Sequence, residues 1–110
     1  MARPMLNTAV PEAYRTTIAL SAQAEQAALD AGVAPLTLEL LRIRASQLNG
    51  CGYCLRMHTR DALDKGESTD RLAVLPAWRE TSYFSAEERA ALPIAEEHGG
   101  QGLGVVELVI

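Results

Sequence analysis

Cys51 and Cys54 are the two cysteines of this 110-residue chain, and His58 follows the second by four residues. Thiols that close in sequence cannot staple a fold by closing a long loop. In a reducing compartment such a pair is more often redox-active or metal-binding than structural. On a helix, residues 51, 54 and 58 fall on one stripe. The two sulfurs then lie near enough to join with little rearrangement. If the pair opens a helix, the free amide groups there favour the thiolate, which is the reactive form. A histidine on the same stripe can take the thiol proton of Cys54, or return one to a departing group. Peroxide cleavage needs both a thiolate attacker and an acid for the departing oxygen.

Glu39 is the acid nearest this group on the preceding segment, set among Leu36, Leu38, Leu40 and Leu41. A carboxylate in such company must find a partner or take up a proton. Arg42 and Arg44 are candidate partners at helical spacing. A chain reversal at Asn49-Gly50 would turn Glu39 towards the Cys54/His58 face. Zinc is the rival reading of the cysteines, with Cys51, Cys54 and His58 as ligands and His98 as a fourth. Structural zinc sites usually carry a second tight pair, which is missing here. Covalent haem needs histidine directly after the second cysteine, where this chain has Leu55. Tyr53, between the cysteines, can pack or donate a hydrogen bond, and Trp78 and Phe84 read as core residues.

Five helices must position these groups. The first is expected over about Pro11 to Ala31, with Pro11 in the first turn, Tyr14, Ile18, Ala22 and Glu25 on one face, and Gly32 as its stop. The second spans about Leu36 to Leu48, with Leu36, Leu40, Leu41, Ile43 and Leu48 as a wide apolar stripe. The third spans about Cys51 to Lys65, capped by Asn49 and stopped by Gly66. A short fourth covers Thr69 to Leu75, capped by Ser68, Thr69 or Asp70 and ended by Pro76. The fifth opens on the capping box Ser85-Ala86-Glu87-Glu88 and runs towards Glu97, with Pro93 as a kink. Beyond it, residues 98–104 are too glycine-rich for helix, and Val105 to Ile110 is a short apolar, β-branched tail.

The composition agrees with one all-α domain. Apolar residues make up 48% and charged residues 22%, while aromatics reach only 5%, which favours helix over strand. The net charge is −4. No basic stripe marks a nucleic-acid partner, and no apolar run approaches the roughly 20 residues of a membrane span. Met1 to Met5 lacks an apolar signal core, so the expected location is cytoplasmic.

The stretch from Glu39 through Asn49-Gly50-Cys51-Gly52-Tyr53-Cys54-Leu55-Arg56-Met57-His58 to Ala62 resembles the AhpD-like alkylhydroperoxidases of the carboxymuconolactone decarboxylase superfamily. An acid, eleven residues, CxxC, three residues and histidine form a far more specific pattern than CxxC alone. Leu75-Pro76-Ala77-Trp78-Arg79-Glu80 and Phe84 to Leu92 are also similar to the family, so the likeness covers about Pro11 to Glu97. It implies an all-α fold that assembles into homo-oligomeric rings, and thiol peroxidase chemistry with no cofactor and no metal. Cys54 would be the attacking cysteine and Cys51 the resolving one, with His58 and Glu39 as the proton relay. Tyr53 falls where some members carry another histidine, and is a candidate substrate-binding residue. The reductant implied is an external dithiol of the lipoyl-protein type, acting after a hydroperoxide substrate.

The domain expected is residues 1–97, with 98–110 an atypical tail where family members continue into further helices. A short or truncated chain of this kind would expose apolar surface, and so would be oligomeric or poorly stable. A non-catalytic redox sensor, or an inactive remnant of the family, is the alternative function.

Overall fold

The structure is a computed structural model that describes residues 6–98. Of the tail expected at 98–110, His98 is the last residue of the final helix, one residue past the expected helix end, while its side chain and residues 99–110 lie outside the described residues. The elements are α1 (Leu6–Ala9), α2 (Pro11–Asp30), α3 (Pro35–Asn49), α4 (Gly52–Asp64), α5 (Thr69–Val74), a 3₁₀ helix (Leu75–Glu80) and α6 (Ala86–His98). The described residues contain no strand, so the fold is all-α. None of their helices is long and apolar enough to cross a membrane.

The core forms around α3. This helix packs against α4 and α6. Leu40 and Ile43 from α3 meet Ala62, Leu75, Trp78, Phe84 and Leu92, with Leu55, Leu72 and Val74 packed at the margin. Leu36, Leu41 and Leu48, also in the expected stripe, are half-buried. Trp78 and Phe84 are core residues, as their types suggested. Each large apolar side chain buried in this way contributes about 1.5–3 kcal/mol.

The turn that delivers the cysteines is built by Gly50. After α3 the backbone reverses with Gly50 at φ 67°, a left-handed conformation that a Cβ would strain. The Gly50 amide donates to the Gln47 carbonyl (3.2 Å) and the Cys51 amide to the Ser46 carbonyl (3.1 Å). This is the paired bonding of a Schellman stop. The expected cap moves as a result. Asn49 still belongs to α3, so Cys51, the first extended residue, becomes the cap of α4.

Two other ends follow their sequence signals. Ser68 Oγ caps α5, accepting from the amides of Asp70 and Arg71. Pro76 has no amide to continue the α ladder, and the chain tightens into the 3₁₀ helix, one residue earlier than expected. That tight turn buries Leu75 and Trp78. The capping box opens α6: Ser85 Oγ accepts from the Glu88 amide, and the Ser85 amide donates to Glu88 Oε1 at 2.7 Å. The helix then continues through Pro93.

Helix α2 differs from all of these. It is 20 residues long and buries none of them. Tyr14, Ile18 and Leu20 are exposed. The Glu25–Arg42 ion pair, at 3.3 Å, ties α2 to α3.

Candidate functional site

Cys51 and Cys54 are joined as a disulfide at the start of α4, with their Cα atoms 5.3 Å apart. Cys51 Sγ also accepts a hydrogen bond from the Cys54 amide at 3.2 Å, so one sulfur serves as the helix cap. Both residues are half-buried. The amides of the first helical turn therefore point towards the sulfurs, the setting that favours a thiolate once the bond is reduced.

One turn further, His58 is 4% exposed and faces α3. Glu39, at 1% exposure, is the carboxylate it meets. Glu39 Oε2 lies 3.8 Å from His58 Nδ1. The two residues are 19 positions apart in sequence, and the Gly50 reversal brings them together by laying α4 against α3. The two oxygens of Glu39 have different surroundings. Oε1 accepts from Arg42 at 2.8 Å and from Lys65 at 2.9 Å. Oε2 is buried and accepts no hydrogen bond within the described residues. The cations hold one edge of the carboxylate and turn the other towards the imidazole. A carboxylate in that position can orient the ring and stabilise a proton on it. Hydrogen bonds of this kind are often long before substrate binds.

Of the residues singled out from sequence, Cys51, Cys54, His58 and Glu39 thus lie along the α3–α4 contact. Tyr53 does not join them: it is 78% exposed and points away from the core. Arg42 is the partner expected for Glu39, whereas Arg44 turns to Glu96, with Nε to Oε1 at 2.6 Å. Glu96 also accepts from Trp78 Nε1 at 3.0 Å. The hydrogen bond from Arg44 is the main reason that the Glu96 carboxyl is held below the ordinary range.

Lys65 was not anticipated, because it lies 26 residues from Glu39. No local pattern announces that contact; it depends on α4 ending where it does. Asp61 was also missed, although its i+3 spacing from His58 was a usable signal. Glu39, His58 and Asp61 place ligand-type atoms within 4.8 Å of one another. Arg42 and Lys65 already set two cations on Glu39 and would repel a divalent ion. The arrangement suits proton handling better than metal binding. Of the zinc ligands considered from sequence, Cys51 and Cys54 are engaged with each other.

The profile of the Carboxymuconolactone decarboxylase family matches residues 11–97, and the chain belongs to that family. It is 50% identical over 60 residues to the uncharacterized protein YdfG of Bacillus subtilis, a match covering 54% of this chain and 41% of that protein. It is 32% identical over 62 residues to the uncharacterized protein YnjA of Escherichia coli, covering 56% and 34%. It is 42% identical over 41 residues to the alkyl hydroperoxide reductase AhpD of Rhodospirillum centenum, covering 37% and 22%. The matches span less than half the length of each of these relatives.

Proposed function

We propose that this member of the carboxymuconolactone decarboxylase family is a thiol-dependent peroxidase working through the Cys51–Cys54 pair. One observation carries the proposal: a disulfide-forming pair opens α4, and one turn on, His58 faces a buried carboxylate whose second oxygen accepts no hydrogen bond from the described residues. The similarity to a protein named alkyl hydroperoxide reductase supports the same reaction.

In the reduced protein the Cys54 thiolate attacks the terminal oxygen of a hydroperoxide. The O–O bond breaks, Cys54 becomes a sulfenic acid, and the departing alkoxide takes a proton from His58. Glu39, held by Arg42 and Lys65, stabilises the imidazole while it carries that proton. Cys51 then attacks the sulfenic sulfur, water leaves, and the disulfide closes. An external dithiol reduces it and is itself oxidised, which fits a reducing cytoplasm. Lactone decarboxylation, which the family's name denotes, would give the cysteine pair no role. The exposed Tyr14, Ile18 and Leu20 of α2 support assembly into a homo-oligomer.

The test is the mass and free-thiol count of the reduced protein after one equivalent of cumene hydroperoxide. Rapid formation of an intramolecular disulfide is expected, together with loss of peroxide turnover in Cys54→Ser. Reaction no faster than that of the denatured chain, or full turnover by Cys54→Ser, overturns the assignment.

A further inference from the structure

Among the described residues, the charge of Glu39 is already met before any proton reaches His58. Arg42 and Lys65 both bind Glu39 Oε1, and Arg42 also pairs with Glu25 of α2 at 3.3 Å. These two cations balance these two anions. A proton on His58 adds a positive charge that the set does not offset, on a residue only 4% exposed. Burial disfavours such a charge unless a further anion lies near. Asp61, three residues on along α4, is that anion. One of its carboxylate oxygens lies within 4.8 Å of a ring nitrogen of His58 and of a Glu39 carboxylate oxygen. Asp61 is exposed, and its side chain makes no hydrogen bond or ion pair with a described residue. Arg56 and Arg60 line a shallow cavity of about 220 Å³ with it, yet neither binds it. Two carboxylates this close repel each other, and a proton on the neighbouring ring relieves that repulsion.

We propose that Asp61 is a positioning residue of the relay: its carboxylate holds on His58 the proton that the departing alkoxide takes. The use of that proton rests on the peroxidase reading, whereas the electrostatic pairing of Asp61 with His58 does not. Glu39 contributes to the same end but shares its charge with Arg42 and Lys65. In the oxidation step the imidazolium gives its proton to the alkoxide, leaving an alcohol and a neutral imidazole. Asp61 transfers nothing. Its charge acts through the ring, and after each turnover it favours the uptake of a new proton from water. Asp61 lies outside the pattern of acid, CxxC and histidine, so the sequence likeness assigns it no role.

The test follows the histidine ring signals by NMR as the oxidised protein is titrated, with His98→Gln telling the two histidines apart. In Asp61→Asn the His58 midpoint should fall by about 0.5–1 pH unit, the effect of a partly solvated charge at this distance. In Asp61→Glu it should stay close to wild type. The difference should shrink in about 1 M salt, because Asp61 is exposed. Disulfide formation with cumene hydroperoxide should slow by about 3–10-fold in Asp61→Asn above that midpoint, the same shift read as a population. Well below the midpoint the ratio to wild type should approach one. A midpoint that does not move, or one that moves equally in Asp61→Glu, overturns the proposal. So does a rate lowered by the same factor at every pH, the mark of a merely structural role. The titration needs no peroxide. A shifted midpoint in a protein that reacts no faster than its denatured chain would fail the peroxidase reading and leave the Asp61 pairing standing.

Discussion

Two buried carboxylate clusters sit in this small fold, and they are satisfied differently. In the first, Arg71 of α5 binds Glu67 through Nε at 2.8 Å and also binds Glu88 of α6. Glu67 Oε1 accepts in addition from the Ser68 amide, and Glu88 Oε1 from the Ser85 amide. Arg71 donates further to the Tyr83 carbonyl at 2.8 Å and lies over the Phe84 ring. All four carboxylate oxygens are bonded. In the second cluster, Glu39 has one oxygen bonded twice and the other facing an imidazole at 3.8 Å. Leaving a buried acceptor unbonded costs about 1–3 kcal/mol. A saturated cluster holds elements together. An unsaturated one retains a site at which a proton can arrive.

The sharpest way to break this contrast is to remove the charge of Glu39. Glu39→Gln keeps the shape but cannot stabilise a proton on His58. The rate of disulfide formation with hydroperoxide should fall by about 10²–10⁴-fold, the usual contribution of acid–base catalysis. Stability should change by only about 1 kcal/mol in urea unfolding, because Lys65 returns to water and Arg42 keeps Glu25. A large stability loss with unchanged reactivity would reverse the roles of the two clusters.

Arg71→Met should give the opposite pattern. It leaves Glu67 and Glu88 buried beside no cation. Breaking a buried pair costs about 3–5 kcal/mol, and the partial exposure of Arg71 points to the lower end. Urea unfolding should show the loss, while the rate of disulfide formation in the protein that remains folded stays near wild type.

Ser85→Ala removes one reciprocal bond of the α6 capping box and should cost about 1 kcal/mol by the same measurement. The smallest effect is the response to mild acid. Burial opposes ionisation of Glu88, but the hydrogen bonds from Arg71 and Ser85 outweigh it and hold its carboxyl below the ordinary value of 4.5. Glu96 is held below that value as well, mainly by Arg44. A carboxyl with a depressed folded pKa lends stability that is fully present above the unfolded value and is lost as pH falls through the folded one. Their contribution to unfolding free energy should be flat from pH 7 to about 5 and decline below 4.5. A contribution that grows in that acid range would contradict the assignment.

The contrast also separates what was legible in sequence from what was not. The capping box at Ser85–Glu88 could be read, and the cap of α5 narrowed to Ser68, Thr69 or Asp70, because each bond links residues no more than three apart. Gly50 was legible as a break, but the displacement of the cap from Asn49 to Cys51 was not. That shift depends on how far α3 continues before the left-handed residue. The apolar spacing of Tyr14 and Ile18 was visible, yet within the described residues this face is exposed. Periodicity reports that a helix has an apolar side, not what covers it.

The sequence by itself determined the local terms: an all-helical chain, the thiols at the mouth of a helix, and His58 on their stripe. Each follows from backbone geometry over a few residues, which distant contacts scarcely alter. Only the tertiary structure decided which oxygen of Glu39 faces the imidazole and that Lys65 holds the other. Those outcomes depend on the packing of α4 against α3 and on competition among charges up to 26 residues apart.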